Sequence, residues 1–324
     1  MRAVWLREFG GPEVLVAGDA PDPEAGPGQV LVDVAYANIT FVETQVRRGG
    51  GPFPVRPPTV LGNGVGGVVS AVGDGVSPDL TGRRVVGGLG GSGGYAERAV
   101  VAADALVEVP SGLALDSAVA LLADGRTATF LVRAAGPASG DRVLVEAAAG
   151  GVGTLLVQLA HAAGAVVVAV AGGARKTALA RDLGADVSVD YREPGWEERV
   201  REAVGGVDVV FDGVGGSVAR SAFDLLDRGG RMLTYGLASG TWADIPDELA
   251  ATRAVTLVRP RMRPEEARSL TASALAEAAA GRLRPVIGQR FPLERAADAH
   301  AAIEARATVG KTLLEVSVPP PAAR

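Results

Sequence analysis

The chain has 324 residues (32.7 kDa), a net charge of −5, 48% hydrophobic residues and a mean hydropathy of +0.23. That length predicts about two domains with full cores, and the weakly acidic balance argues against a nucleic-acid partner. The absence of cysteine excludes disulfides, thiolate zinc sites and cysteine nucleophiles, and with His161 and His300 as the only histidines no metal site is expected.

The first ten residues alternate polar and apolar side chains and do not read as a signal peptide, so a soluble cytoplasmic protein without a membrane partner is expected. Residues 29–36, 66–72, 84–86 and 95–101 carry β patterns separated by Gly and Pro clusters, with a short helix over 41–48. Residues 114–135 read as one or two helices. A regular alternation follows: strands at 141–147, 165–171, 186–191, 207–212 and 230–236, and helices at 152–163, 174–183, 196–204 and 218–226. This rhythm predicts an α/β domain with a doubly wound parallel sheet behind a mostly β domain. Beyond residue 254 the expectations are an edge strand at 255–259, a helix at 264–281, an extended stretch at 283–291, a helix at 296–305 and a closing strand at 312–316. Residues 319–324 are expected to fray.

Ala147-Ala-Ala-Gly150-Gly151-Val152-Gly153 falls between a strand and a helix. A pyrophosphate approaching the N–H groups of a helix N-terminus needs a turn stripped of side chains, and this segment supplies one. Two other glycine runs mimic functional motifs. Gly62-Asn-Gly64-Val-Gly66-Gly67 runs into a valine strand instead of a helix, so it is not read as a phosphate loop. Gly90-Gly-Ser92-Gly-Gly94 resembles a nucleophile elbow but also runs into a strand, which argues against a serine hydrolase. A cofactor with a free ribose 2′-hydroxyl calls for Asp or Glu at the end of the second strand. Here that strand ends in Gly172-Gly-Ala-Arg175-Lys176, small residues followed by cations, which suits a 2′-phosphate and therefore NADPH. Tyr191, ending the third strand, can pack on the adenine or donate to the same phosphate.

The motifs together resemble the medium-chain dehydrogenase/reductase superfamily in its zinc-free quinone oxidoreductase (zeta-crystallin-like) branch. They include 40–49, 62–69, Gly82-Arg-Arg-Val, 93–97, 147–153, 172–176, Asp190-Tyr-Arg-Glu, Asp212-Gly-Val-Gly215, 229–236, 283–288 and Thr308-Val-Gly-Lys311. The resemblance implies a Rossmann domain over about 123–261 and a GroES-like catalytic domain over 1–122, completed by about 262–324. It implies NADPH in the cleft and hydride transfer to a quinone or α,β-unsaturated carbonyl, with enoyl thioester reduction as an alternative. Thr127 and Gly236 match positions at the nicotinamide end. Gly150, Gly151 and Val152 match the pyrophosphate turn, Gly172, Lys176 and Tyr191 the 2′-phosphate pocket, and Lys311 a cofactor-side position.

The departures bear on mechanism. Zinc-dependent relatives carry a cysteine where Thr40 stands and a His-Glu pair where Asn63-Gly64 stands, and neither replacement can coordinate zinc. Relatives also carry a tyrosine near Gly51 or Pro52 that is missing here, which keeps open a second possibility: a protein that binds NADPH without turnover. Thr40 is expected to hydrogen-bond the substrate carbonyl, Gln45 to point into the same pocket, and Phe41, Phe53 and Tyr95 to line it. The exposed edge at 255–258 points to a homodimer.

Overall fold

The structure is a computed structural model that describes residues 1–316; the expectation for residues 319–324 lies outside the described residues. The chain divides into two compact units, one formed by Met1–Arg126 with the segment from Arg268 onward, the other by Thr127–Ala267.

The first unit is a mostly antiparallel β structure. Its central strand, Gln29–Ile39, pairs antiparallel with Gly64–Val72, Arg98–Ala102 and the returning Lys311–Glu315. Alternation along that strand buries Val30, Val32 and Val34 in a core shared with Leu6, Leu61 and Val85. The glycine run rejected as a phosphate loop has a packing purpose. A Cβ on Gly67 would lie 1.9 Å from the Asp33 carbonyl oxygen, and one on Gly66 2.2 Å from the Val119 side chain. Leu115–Ala135 is a single helix despite its internal glycine. Gly125 is where the Ala267–Ala279 helix comes closest, since a Cβ there would sit 2.9 Å from that of Ala274. The stretch expected to be extended over 283–291 becomes a strand only at Ile287–Pro292, because Pro285 has no N–H to give a ladder.

The second unit is a six-stranded, fully parallel sheet. Its spatial order is Val187–Asp190, Val166–Ala171, Arg142–Val145, Val207–Asp212, Leu226–Thr234, Thr256–Val258. Valine-rich strands such as Val166–Ala171 are buried on both faces, as parallel sheets covered by helices require. The chain runs outward from Arg142–Val145 to one edge, then returns to lay Val207–Asp212 on its other side. That reversal puts a crevice at the carboxyl ends of these two strands, the usual ligand position in open α/β sheets. The sequence reading assigned nothing between 237 and 254, where the structure has a helix at Asp247–Arg253.

Candidate active site

The dinucleotide turn lies at this reversal. The helix Gly151–Ala162 begins directly after it, and its first intrahelical bond runs from Thr154 N–H to Gly150 C=O at 2.9 Å. The N–H groups of Gly151, Val152 and Gly153 therefore face outward, ready for an anion. The turn is tight: Gly150 N–H donates to Ala147 C=O at 2.7 Å, and Ala147 is held at φ +46°, a left-handed conformation unusual for a residue with a Cβ. Only glycine fits at 153, where a Cβ would be 2.2 Å from the Ala147 oxygen.

Two buried carboxyl groups sit beneath this turn. Glu146 and Asp212 follow or end the two central strands, and both are 0% exposed. Asp212 Oδ1 accepts from Gly215 N–H at 2.8 Å, and both carboxyls accept from Val214 N–H. Glu146 Oε1 and Asp212 Oδ2 have no hydrogen-bond partner among the described residues. Burial, then the neighbouring Asp212 charge, pushes the Glu146 carboxyl well above the usual carboxylate range.

The residues expected at a 2′-phosphate lie at the ends of the next two strands. A Cβ on Gly172 would lie 3.3 Å from the Tyr191 hydroxyl, and Gly173 takes φ +99°, open to glycine. Lys176 is half-buried in the first turn of the Ala174–Asp182 helix, with Arg175 exposed beside it. The sequence reading missed Arg192. Its guanidinium lies over the glycine pair, its Nη2 2.5 Å from where a Gly173 Cβ would be. Asp190 grips it through Nε at 3.1 Å and Nη2 at 2.9 Å. Those bonds hold the Asp190 carboxyl down at about 2, so this carboxylate is committed to arginine and not offered to a ribose. A small-residue cradle beside Tyr191 and Arg192 has the chemistry to take a phosphate monoester. The signal for it is the arginine of Asp190-Tyr-Arg-Glu, next to Tyr191.

Farther along the same sheet edge, past the carboxyl ends of Leu226–Thr234 and Thr256–Val258, lies a pocket of about 530 Å³. Thr127, Phe130, Tyr235, Trp242, Arg259 and Met262 are among its walls. Gly236 borders it in sequence and must be glycine, because a Cβ would be 2.7 Å from the Gly213 oxygen.

Other expected residues lie in the first unit. Thr40 caps the Phe41–Arg47 helix: its N–H is bonded to Glu43 Oε2 at 2.9 Å, and its hydroxyl donates to the same oxygen. Gln45 is half-buried and donates to Thr44 Oγ1 at 3.4 Å. Phe53 lines a separate pocket of about 440 Å³ with Phe9, Val46 and the 49–52 loop, and Phe41 is half-buried outside it. Tyr95 and Lys311 lie in the interior. Tyr95 is 0% exposed, and its hydroxyl meets His300 Nε2 at 3.0 Å in the core. Lys311 is enclosed too, donating to Asp124 at 3.0 Å, because a buried ammonium requires a counter-charge and the Leu115–Ala135 helix supplies it.

Residues 26–111 match the alcohol dehydrogenase GroES-like domain and residues 151–274 the zinc-binding dehydrogenase domain. A GroES-like unit joined to a nucleotide-binding parallel sheet defines the alcohol-dehydrogenase class of two-unit oxidoreductases. Within that class the chain is 33% identical to a quinone oxidoreductase of Pseudomonas aeruginosa, over 97% of this chain and 99% of that one. It is 32% identical to a 2-haloacrylate reductase of Burkholderia, over 96% and 98%. Escherichia coli quinone oxidoreductase, crystallised with NADPH, superimposes with a TM-score of 0.91 at 30% identity, covering 98% of this chain and all of that one. The chain belongs to the medium-chain dehydrogenase/reductase superfamily, in its zinc-free quinone oxidoreductase branch.

Proposed function

We propose that this protein is an NADPH-dependent reductase that delivers hydride to a quinone or an α,β-unsaturated carbonyl compound. The observation that carries the reading is the glycine-rich turn at Gly150–Gly153 opening a helix, on a chain matched end to end by quinone oxidoreductases. Gly150, Gly151 and Val152 would hold the pyrophosphate. Gly172, Lys176, Tyr191 and Arg192 would hold the 2′-phosphate, with Thr127 and Gly236 at the nicotinamide end. When bound, the reduced nicotinamide supplies the hydride, and the protein contributes position and a dry environment.

Thr40 is the proposed group for the substrate carbonyl, with Gln45 and Phe41 beside it. The Thr40 hydroxyl has one hydrogen, and Glu43 takes it when ionised; burial raises the Glu43 carboxyl above its ordinary range. A protonated Glu43 donates to Thr40 instead and frees the Thr40 hydrogen for a substrate oxygen.

The edge position of Thr256–Val258 supports a homodimer formed by pairing that edge. A cytoplasmic location is proposed, and no helix among the described residues is long and apolar enough to cross a membrane. The decisive experiment follows NADPH oxidation against a panel of quinones and enones. Binding of NADPH with no oxidation across the panel would replace the enzyme reading with a binding-only one.

A further inference from the structure

Arginine is abundant in this chain, and most of the guanidiniums near the second sheet's outer strands are engaged. Arg253 pairs with Asp224, and Arg263 with Glu265 and Glu266. Arg259 and Arg261 differ. Both are exposed, both line the pocket at the end of Thr256–Val258, and neither makes an ion pair or hydrogen bond among the described residues. The surface beside them is aromatic. Phe130 and Tyr235 contribute walls, and Trp242 is 52% exposed, an unusual position for the largest apolar side chain.

The sheet order fixes what this pocket adjoins. The 2′-phosphate cradle lies at the ends of Val166–Ala171 and Val187–Asp190, and the pyrophosphate turn follows Arg142–Val145. A dinucleotide laid along the carboxyl edge from one to the other continues past Val207–Asp212 toward Gly236, and the pocket begins there. Its contents would be the group that receives hydride. A flat aromatic wall suits a conjugated π system, and two guanidiniums without partners suit an anion, for which arginine's planar fork is the best side chain.

We infer that this pocket selects hydride acceptors that carry a carboxylate, with Arg259 and Arg261 binding the carboxylate and Trp242 stacking on the conjugated carbonyl. The inference rests on the proposed reductase reading and narrows it from enones and quinones at large to unsaturated keto acids and related anions.

The test compares 4-oxo-2-pentenoic acid with its methyl ester; because the ester is intrinsically the stronger electrophile, the readout is how the acid-to-ester ratio of kcat/KM changes on substitution of the arginines. The native protein should reduce the ionised acid with a measurable kcat/KM. Arg259→Gln/Arg261→Gln should lower that value about tenfold or more, chiefly through KM, because one charge-assisted contact is worth about 1.4 kcal/mol or more. The ester and the KM for NADPH should not change. An acid-to-ester ratio of kcat/KM that the double substitution leaves unchanged would overturn the inference. So would a rise in the KM for NADPH with an unchanged acid-to-ester ratio, which assigns the arginines to the cofactor. A second measurement needs no turnover: 4-oxopentanoate, but not its methyl ester, should quench Trp242 fluorescence, with Trp242→Phe as the control. Quenching by acid with no NADPH oxidation on any quinone or enone would sink the reductase reading while leaving the anion pocket in place. Equal quenching by acid and ester would sink the pocket assignment alone.

Discussion

Glu146→Gln is the most informative single substitution in the second unit. Glu146 is 0% exposed, its Oε2 accepts from Val214 N–H at 3.1 Å, and its Oε1 shares an otherwise unpartnered space with Asp212 Oδ2. A protonated glutamate fills this site correctly, with one acceptor toward Val214 and one donor toward Asp212. Glutamine offers the same pair permanently: its carbonyl accepts and its amide donates. The two proteins therefore differ mainly in the cost of keeping a proton. In the native chain the folded-state Glu146 carboxyl titrates well above its unfolded value of 4.5. The folded form thus binds more protons than the unfolded form as soon as the pH exceeds about 4.5, and stability falls as pH rises until the folded-state group itself titrates. One proton of difference gives a slope of about 1.4 kcal/mol per pH unit.

Glu146→Gln should abolish that slope, leaving the variant as stable as the native protein near pH 4.5 and more stable at pH 7. The readout is urea unfolding from pH 5 to pH 8, followed by the fluorescence of Trp196, which is buried in this unit, in a Trp5→Phe/Trp242→Phe background. A Glu146→Gln protein that is less stable than its parent at pH 7 and keeps the slope would refute the raised Glu146 carboxyl. Glu146 would then be ionised and bound by donors that glutamine cannot replace.

The first unit should respond to pH in the opposite sense. Burial, then the Arg47 charge, holds His300 down at about 3 against 6.5 unfolded. Stability of that unit should therefore fall as pH drops from about 6.5 toward 3, by about 1.4 kcal/mol per unit, with Trp5 as its reporter. His300→Gln, which keeps a partner for the Tyr95 hydroxyl, should remove the loss. Glu304→Ala strands the fully buried Arg47 guanidinium and should cost about 3–5 kcal/mol in chemical unfolding, against little change for a conservative Arg48→Lys. Arg192→Ala should weaken NADPH binding about tenfold or more and leave NADH unchanged or improved, since it removes a cation and releases the Asp190 carboxylate beside the 2′ position. Equal losses for both cofactors in titration would place Arg192 outside the phosphate pocket. Glu43→Gln keeps the capping geometry at Thr40, so the helix should tolerate it within about 0.5 kcal/mol, whereas any pH dependence of turnover that stems from Glu43 should disappear.

What the sequence revealed and what it concealed divide along physical lines. The parallel sheet was legible because strands buried on both faces must be apolar throughout, and Val166–Ala171 and Val207–Asp212 are. The dinucleotide turn was legible because its demand for missing side chains is local, confined to the residues between one strand and one helix. The same logic rejected the Gly62–Gly67 run, whose glycines answer to Asp33 and Val119 in the folded chain, not to a ligand. Partner choice at long range was not legible. Lys311 and Tyr95 looked available because each is polar and near a motif, yet Asp124 lies 187 residues from the first and His300 205 from the second. Nothing local marks either pairing. Arg192 was hidden for the opposite reason. It stands next to a residue that was chosen, but its relevance depends on how the chain folds back over Gly173. The pair at Arg259 and Arg261 carries the same lesson further. An arginine is informative only when the carboxylates around it are known to be elsewhere, and that is a property of the folded surface. In a chain whose basic residues are nearly all arginine, the few left without partners at the carboxyl edge of a sheet are the ones whose charge is still available to a ligand.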